Sequence, residues 1–272
     1  MLKMVGNYWF FLVSAFWAGA CFGSFINAAA LRIVRGQDWM SAPSRCFACN
    51  KKLTWRQNMP LIGWLSHLGK AGCCEAEIPI RYFWVELVAG LILAGHFVVF
   101  GAQLTLVFLP FLVLCGIIFL TDMEAFHIPD IASLGGTILG LIFVLAELPG
   151  LPGLRDAFIG GVSGFAMIYA INLSYRFWRG VDGMGFGDVK LMMMFGVWLG
   201  PMMLLPILFL ASTVGALVGV GYILTQKISS KSAQMPPQRD ITTFALPFGC
   251  FLVPAAIFLH FFDMTPLLGL AY

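Results

Sequence analysis

Charge is what this 272-residue chain has least of: Asp, Glu, Lys and Arg together make up 11% of it, against about 25% in soluble domains. That scarcity excludes an ordinary water-soluble globular fold. The first apolar run lacks a short hydrophobic region followed by an A-x-A-type cleavage site, so a retained helix is expected there rather than a removable signal peptide. No low-complexity tract or internal repeat is visible. His96, His127 and His260 have no metal-ligand spacing and are expected to be structural.

What is present is apolar: hydrophobic residues make up 60% of the chain, and the mean hydropathy is +0.90. A membrane span needs about 20 mainly apolar residues. Seven runs qualify: Tyr8–Leu31, Tyr82–Phe100, Leu104–Leu120, Ile131–Leu148, Ala157–Tyr175, Met202–Leu224 and Thr242–Phe262. An eighth, Val189–Gly200, is short. If it crosses, 14 of the 16 Lys and Arg fall in loops 32–81, 121–130, 176–190 and 225–241, leaving Lys3 and Arg155 opposite. The positive-inside rule makes the rich side cytoplasmic. The expected fold class is an all-α polytopic membrane protein of about eight transmembrane helices. Its parts are a first helix (1–31), a cytoplasmic cysteine-containing loop (32–81) and a transmembrane core (82–272).

Val189–Gly200 would rise roughly 18 Å at 1.5 Å per residue, against a hydrocarbon core of roughly 30 Å. A helix ending at the outer face near Gly200-Pro201 therefore starts below the cytoplasmic surface. This immerses Asp188 of "GFGDVK" in the membrane, where irregular backbone is tolerated only against protein or a watered cavity. Asp122, in "LTDMEAFHIPD", ends the third run on the same side. Intramembrane ionisable residues are functional candidates, and two carboxylates sharing a proton can hydrolyse a peptide as base and acid. Gly185 and Gly187 would leave bare backbone for an extended peptide to approach, with Lys190 beside it. The plainer reading is a helix-capping role, since an acid near a helix N-terminus favours the dipole. Glu124 and Asp130 are expected to be solvated or capping, and Glu86 to pair with Arg81 or Lys70.

Loop 32–81 holds Cys46 and Cys49 as C-x-x-C and, after 23 intervening residues, the adjacent Cys73 and Cys74. A C-x-x-C with a second cysteine pair, facing a reducing cytoplasm, points to tetrahedral zinc rather than disulfides. A second C-x-x-C would be a stronger signal than adjacent cysteines, and His67 is an alternative to Cys73. Cys21, Cys115 and Cys250 lie within spans as packing residues. The loop has no G-x-G-x-x-G and is too short for a dinucleotide-binding unit.

These landmarks, in order, resemble the bacterial type IV prepilin peptidases, or leader peptidase/N-methyltransferases. They are "GSFINAAALR" (23–32), "SRCFACNKKLTWRQNMPLIGWL" (44–65), "IPIRYFWVE" (78–86), "TDMEAFHIPD" (121–130) and "GMGFGDVKL" (183–191). The resemblance implies a GxGD-type aspartic protease of the inner membrane with Asp122 and Asp188 as its acids. It implies cleavage of type IV prepilins or type II secretion pseudopilins at the cytoplasmic face. It also implies N-methylation of the new terminus with S-adenosylmethionine. Membrane lipid is the other expected partner, and no nucleic acid is. Where the family has GKCxxC, this chain has Gly69-Lys70-Ala71-Gly72-Cys73-Cys74. Cys74 falls at the family's fourth cysteine, Ala71 stands at the third, and Cys73 is the candidate substitute. Two rivals are weaker. A protease of the presenilin kind would carry a Tyr before its first acid, whereas Asp122 follows Thr121. A transporter would use the two acids as a proton relay.

Overall fold

The computed structural model describes residues 2–40, 43–181, 183–230 and 246–262. They form two compact units, Met1–Leu151 and Pro152–Tyr272. The described residues are helical with loops, and two isolated antiparallel bridges, Arg45 with Lys52 and Lys70 with Glu77, are the β structure among them.

The first unit contains α1 (Leu2–Val34), the short α2 (Ile62–Ser66), α3 (Arg81–Ala125) and α4 (Asp130–Leu145). As a straight rod, the 45 residues of α3 would run about 68 Å, more than twice the hydrocarbon thickness. Gly101 breaks it. Its backbone (φ 78°, ψ 178°) is non-helical and costs little without a Cβ. The two arms fold back on each other. Near the bend His96 Nδ1 lies 3.0 Å from Thr105 Oγ1, and at the far end Arg81 forms an ion pair with Glu124. The arms contain the expected runs 82–100 and 104–120.

Glycines set how closely α1 approaches α3. A methyl group at Gly19 would stand 2.6 Å from the Ala89 carbonyl oxygen, and one at Gly23 would stand 2.8 Å from Glu86 Cα. On the second arm, Gly116 receives Ile26. Apolar side chains gain nothing over lipid tails by meeting one another, so membrane helices associate by this kind of close packing. Cys115 is fully buried, whereas Cys21 faces outward and packs less than expected.

The second unit contains α5 (Leu154–Arg179), α6 (Phe186–Leu199), a 3₁₀ turn at Pro201–Met203, α7 (Leu204–Ser230) and α8 (Gly249–Phe262). Helix α6 is apolar on every side, and Val189, Leu191, Met192, Met194, Phe195 and Trp198 are completely buried. Such a helix needs neighbours all round. Its backbone meets that of α5 directly, because a Cβ at Gly160 would collide with the Gly196 carbonyl and one at Gly164 with the Met192 carbonyl. Gly200 (φ 80°) and Pro201 end it.

Among the described residues, four helical stretches are long and apolar enough to cross a membrane: Tyr8–Val34, Arg81–Ala125, Leu154–Arg179 and Pro201–Thr225. Shorter apolar helices, Asp130–Leu145 and Gly249–Phe262, accompany them. The chain is a multi-pass membrane protein. The start of the expected run 242–262 and most of loop 225–241 lie outside the described residues.

Candidate peptidase site and metal centre

Asp122 belongs to the first unit and Asp188 to the second, and each is set by its own helix end. Asp122 stands in the last turn of α3 with 5% of its surface exposed. Beside it Thr121 is fully buried, and its hydroxyl donates back to the carbonyls of Ile117 and Ile118. Phe126, in the left-handed region (φ 52°), donates its N–H to the Asp122 carbonyl at 2.9 Å and closes the helix. After Pro129, in extended backbone, Asp130 opens α4 as an exposed first-turn acid, where the dipole favours it.

Asp188 lies in the first turn of α6, 7% exposed, and its N–H reaches the Gly185 carbonyl at 3.1 Å. A Cβ at Gly185 would sit 3.5 Å from Asp188 Oδ2, in ordinary van der Waals contact. Gly185 is exposed and Gly187 half-buried. Lys190 Nζ lies 5.1 Å from the centre of the Phe186 ring, a cation–π distance. Asn172 of α5 was not anticipated. Its Oδ1 accepts from the N–H groups of both Gly183 and Met184, at 2.9 and 3.1 Å, and so anchors the turn leading to Gly185.

The loop of the first unit folds as two similar knuckles, 25 residues apart. In the first, Arg45 bridges Lys52, Cys46 N–H donates to Lys51 O, Asn50 N–H donates to Cys46 O, and Asn50 has φ 60°. In the second, Lys70 bridges Glu77, Ala71 N–H donates to Ala76 O, Glu75 N–H donates to Ala71 O, and Glu75 has φ 58°. Position for position, Cys46 matches Ala71 and Cys49 matches Cys74. Ala71 is buried as Cys46 is. Cys73 supplies the sulfur that position 71 lacks.

All four sulfurs lie within 4.8 Å of one another. Cys46 Sγ is 3.6 Å from Cys74 Sγ, Cys49 Sγ is 3.4 Å from Cys73 Sγ, and the adjacent Cys73 and Cys74 are 3.9 Å apart. A zinc ion bound at about 2.3 Å by four thiolates requires sulfur–sulfur edges of about 3.8 Å. The cluster fits zinc, and His67 is not part of it. The Cys49 backbone N–H, then that of Ala48, lowers the Cys46 thiol to about 6. The Cys49 sulfur, then partial burial, pushes Cys73 up to about 12.

Glu86 is not paired with Arg81 or Lys70. Its buried carboxylate accepts the Leu61 N–H at 2.7 Å, holding a residue with φ 59°. Trp64 adds a bond from Nε1 to Ile78 O (3.2 Å) and a ring contact to Phe83. These contacts seat the loop on the first arm of α3. Glu124 is exposed, as expected of a solvated acid, and it is also the ion-pair partner of Arg81. Such pairings join residues far apart in the chain, and nothing in the local pattern announces them.

Comparison with known proteins places the chain. Residues 17–100 match the Bacterial Peptidase A24 N-terminal domain, and residues 106–220 match the Type IV leader peptidase family. A prepilin leader peptidase/N-methyltransferase of Stutzerimonas stutzeri is 32% identical over 251 residues, covering 81% of this chain and 84% of the relative. One from Klebsiella pneumoniae is 31% identical, covering 72% and 89%. One from Aeromonas hydrophila is 35% identical over 184 residues, covering 66% of this chain but 62% of that relative. The chain thus spans a little under two thirds of the Aeromonas protein. No solved structure matches the chain. A helical membrane protein with a buried Asp in each of two units and a four-cysteine loop is consistent with a membrane peptidase. The chain belongs to the type IV leader peptidase family.

Proposed function

We propose that the chain is a membrane aspartic endopeptidase that removes the leader from type IV prepilins or type II secretion pseudopilins. The observation that carries this reading is a buried aspartate at each of two helix ends, Asp122 and Asp188, inside the segments that match the family. Two carboxylates acting together hold one proton between them at neutral pH. The ionised member takes a proton from water, and the oxygen attacks the peptide carbonyl. The protonated member then gives its proton to the leaving nitrogen, so the C–N bond breaks with net addition of water. Gly185 and Gly187 admit the extended peptide, and Lys190 borders it.

The working topology is eight spans, in the bacterial inner membrane, with loop 32–81 and both acids at the cytoplasmic face. The 14-to-2 division of basic residues supports that orientation. A prepilin presents a basic leader followed by a long apolar helix, so its cleavage point lies at the same interface. Residues 82–272 form the peptidase core. Cys46, Cys49, Cys73 and Cys74 would hold a structural zinc, which supplies a cross-link to a loop too polar to build its own core. N-methylation with S-adenosylmethionine is proposed from the names of the relatives. The loop has no glycine-rich nucleotide-binding turn.

The test is direct. Purified protein incubated with a prepilin should shorten it by its leader. A prepilin left intact under conditions where a relative cleaves it would refute the reading.

A further inference from the structure

Arg81 and Glu124 each stand at the wrong end of a helix. Arg81 is the first residue of α3, where the dipole is positive, and the first turn contains no acid. Glu124 is the next-to-last residue of the same helix, where the dipole is negative, and the last turn contains no base. A cation at an N-terminus and an anion at a C-terminus are both disfavoured locally. Local capping therefore explains neither residue. Their ion pair does, because the bend at Gly101 brings the N-terminus of one arm beside the C-terminus of the other. Each charge then faces the opposite dipole end of the neighbouring arm.

Arg81 makes a second contact. Its Nη2 donates to Asn27 Oδ1 of α1 at 3.2 Å. Asn27 is completely buried, and its Nδ2 has no hydrogen-bond partner. The amide is thus turned to serve Arg81 and leaves its own donor unsatisfied, an arrangement that is costly when buried. One guanidinium joins three helical segments: α1, the first arm of α3 and the last turn of the second arm. That last turn carries Asp122, two residues before Glu124.

We propose that Arg81 and Glu124 are a positioning pair that fixes the depth and rotation of the Asp122 turn against α1. The inference rests on the peptidase reading of Asp122. The role assigned to both residues is positioning, not proton transfer. Without the pair, the turn keeps its own backbone bonds, including Phe126 N–H to the Asp122 carbonyl, but loses its tie to α1.

The experiment is kinetic. Arg81→Gln and Glu124→Gln should each lower kcat for prepilin cleavage by about 10- to 100-fold, the range expected when a reacting group is misplaced by about 1 Å. KM should stay within about twofold, because the pair does not hold substrate. The exchange, Arg81→Glu with Glu124→Arg, should recover at least about tenfold of that loss. It puts each charge at the favourable end of its own helix, and a carboxylate at position 81 can accept from the idle Asn27 Nδ2. Hydrogen exchange at residues 118–126 should quicken in the single variants and return toward the parent rate in the exchange variant, with thermal midpoints showing that all the proteins are folded. Parent-like kcat in both single variants, or an exchange variant no better than either, overturns the inference and leaves the peptidase reading standing. A parent protein that does not cleave prepilin removes the reading and the inference with it.

Discussion

Moving one cysteine should move a zinc ligand without losing the zinc. The two knuckles superimpose Ala71 on Cys46 and Cys74 on Cys49, so a regular second C-x-x-C would place its first sulfur at position 71. Cys73 does that work from two residues further on, at 3.4 Å from Cys49 and 3.9 Å from Cys74. Structural zinc sites bind with about 10–16 kcal/mol, or about 3 kcal/mol for each of four equal sulfurs. Cys73→Ala should therefore weaken zinc by on the order of 10²-fold. Adding Ala71→Cys to that variant should bring the affinity back to within about tenfold of the parent, since the sulfur returns in the same knuckle geometry. Competition with a chromophoric chelator measures all three proteins at one pH. A double variant no tighter than Cys73→Ala would refute the equivalence of the knuckles. A parent protein that holds no zinc would refute the site.

The remaining predictions concern packing, the Gly183–Met184 turn and topology. Gly160→Val should lower stability by about 3 kcal/mol or more, because α5 and α6 meet backbone to backbone there. Gly135→Ala, whose added methyl meets nothing within 4 Å, should be neutral or stabilising by up to about 1 kcal/mol in helix α4; thermal unfolding in detergent compares the two. Asn172→Leu removes the acceptor for two backbone N–H groups and should slow prepilin cleavage by about tenfold or more, whereas Asn172→Asp keeps the acceptor and should stay near the parent rate; equal rates would dismiss the turn as unimportant. In intact cells an impermeant thiol reagent should label Glu147→Cys and not Lys51→Cys; labelling of the latter would reverse the topology.

Much of the fold is legible in hydropathy, because lipid demands long apolar helices and the chain supplies them. The break in α3 shows as polar relief around Gly101-Ala102-Gln103 between two apolar runs. The shortness of α6 is legible in the length of its apolar run. The knuckles are different. They share a hydrogen-bond pattern and a left-handed fifth residue, Asn50 or Glu75, yet little sequence beyond one cysteine each. Backbone geometry repeats there while side chains do not, so no repeat is visible in the letters. Close approaches such as Gly160 to Gly196 are hidden for a related reason: a glycine does not name its partner. The Arg81–Glu124 pair is hidden because charges can be counted in a sequence, but a bend must be known before they can be matched. Glu86 shows the consequence, since a nearby Arg81 invited a pairing that the loop backbone at Leu61 takes instead.

The most direct test of the account compares Asp122→Asn, Asp188→Asn and Asp130→Asn on one prepilin, with the three proteins inserted and present in equal amounts. Asparagine keeps the shape of each side chain and removes its ability to exchange the proton. The first two should each lose about 10³-fold or more of leader cleavage, with similar residual rates, because residues acting as one unit are not additive. Asp130→Asn should cost a few-fold at most, as an exposed first-turn acid of α4 whose charge serves the helix dipole. Near-parent cleavage by either Asp122→Asn or Asp188→Asn would contradict the dyad and return weight to a proton-relay role for the two acids.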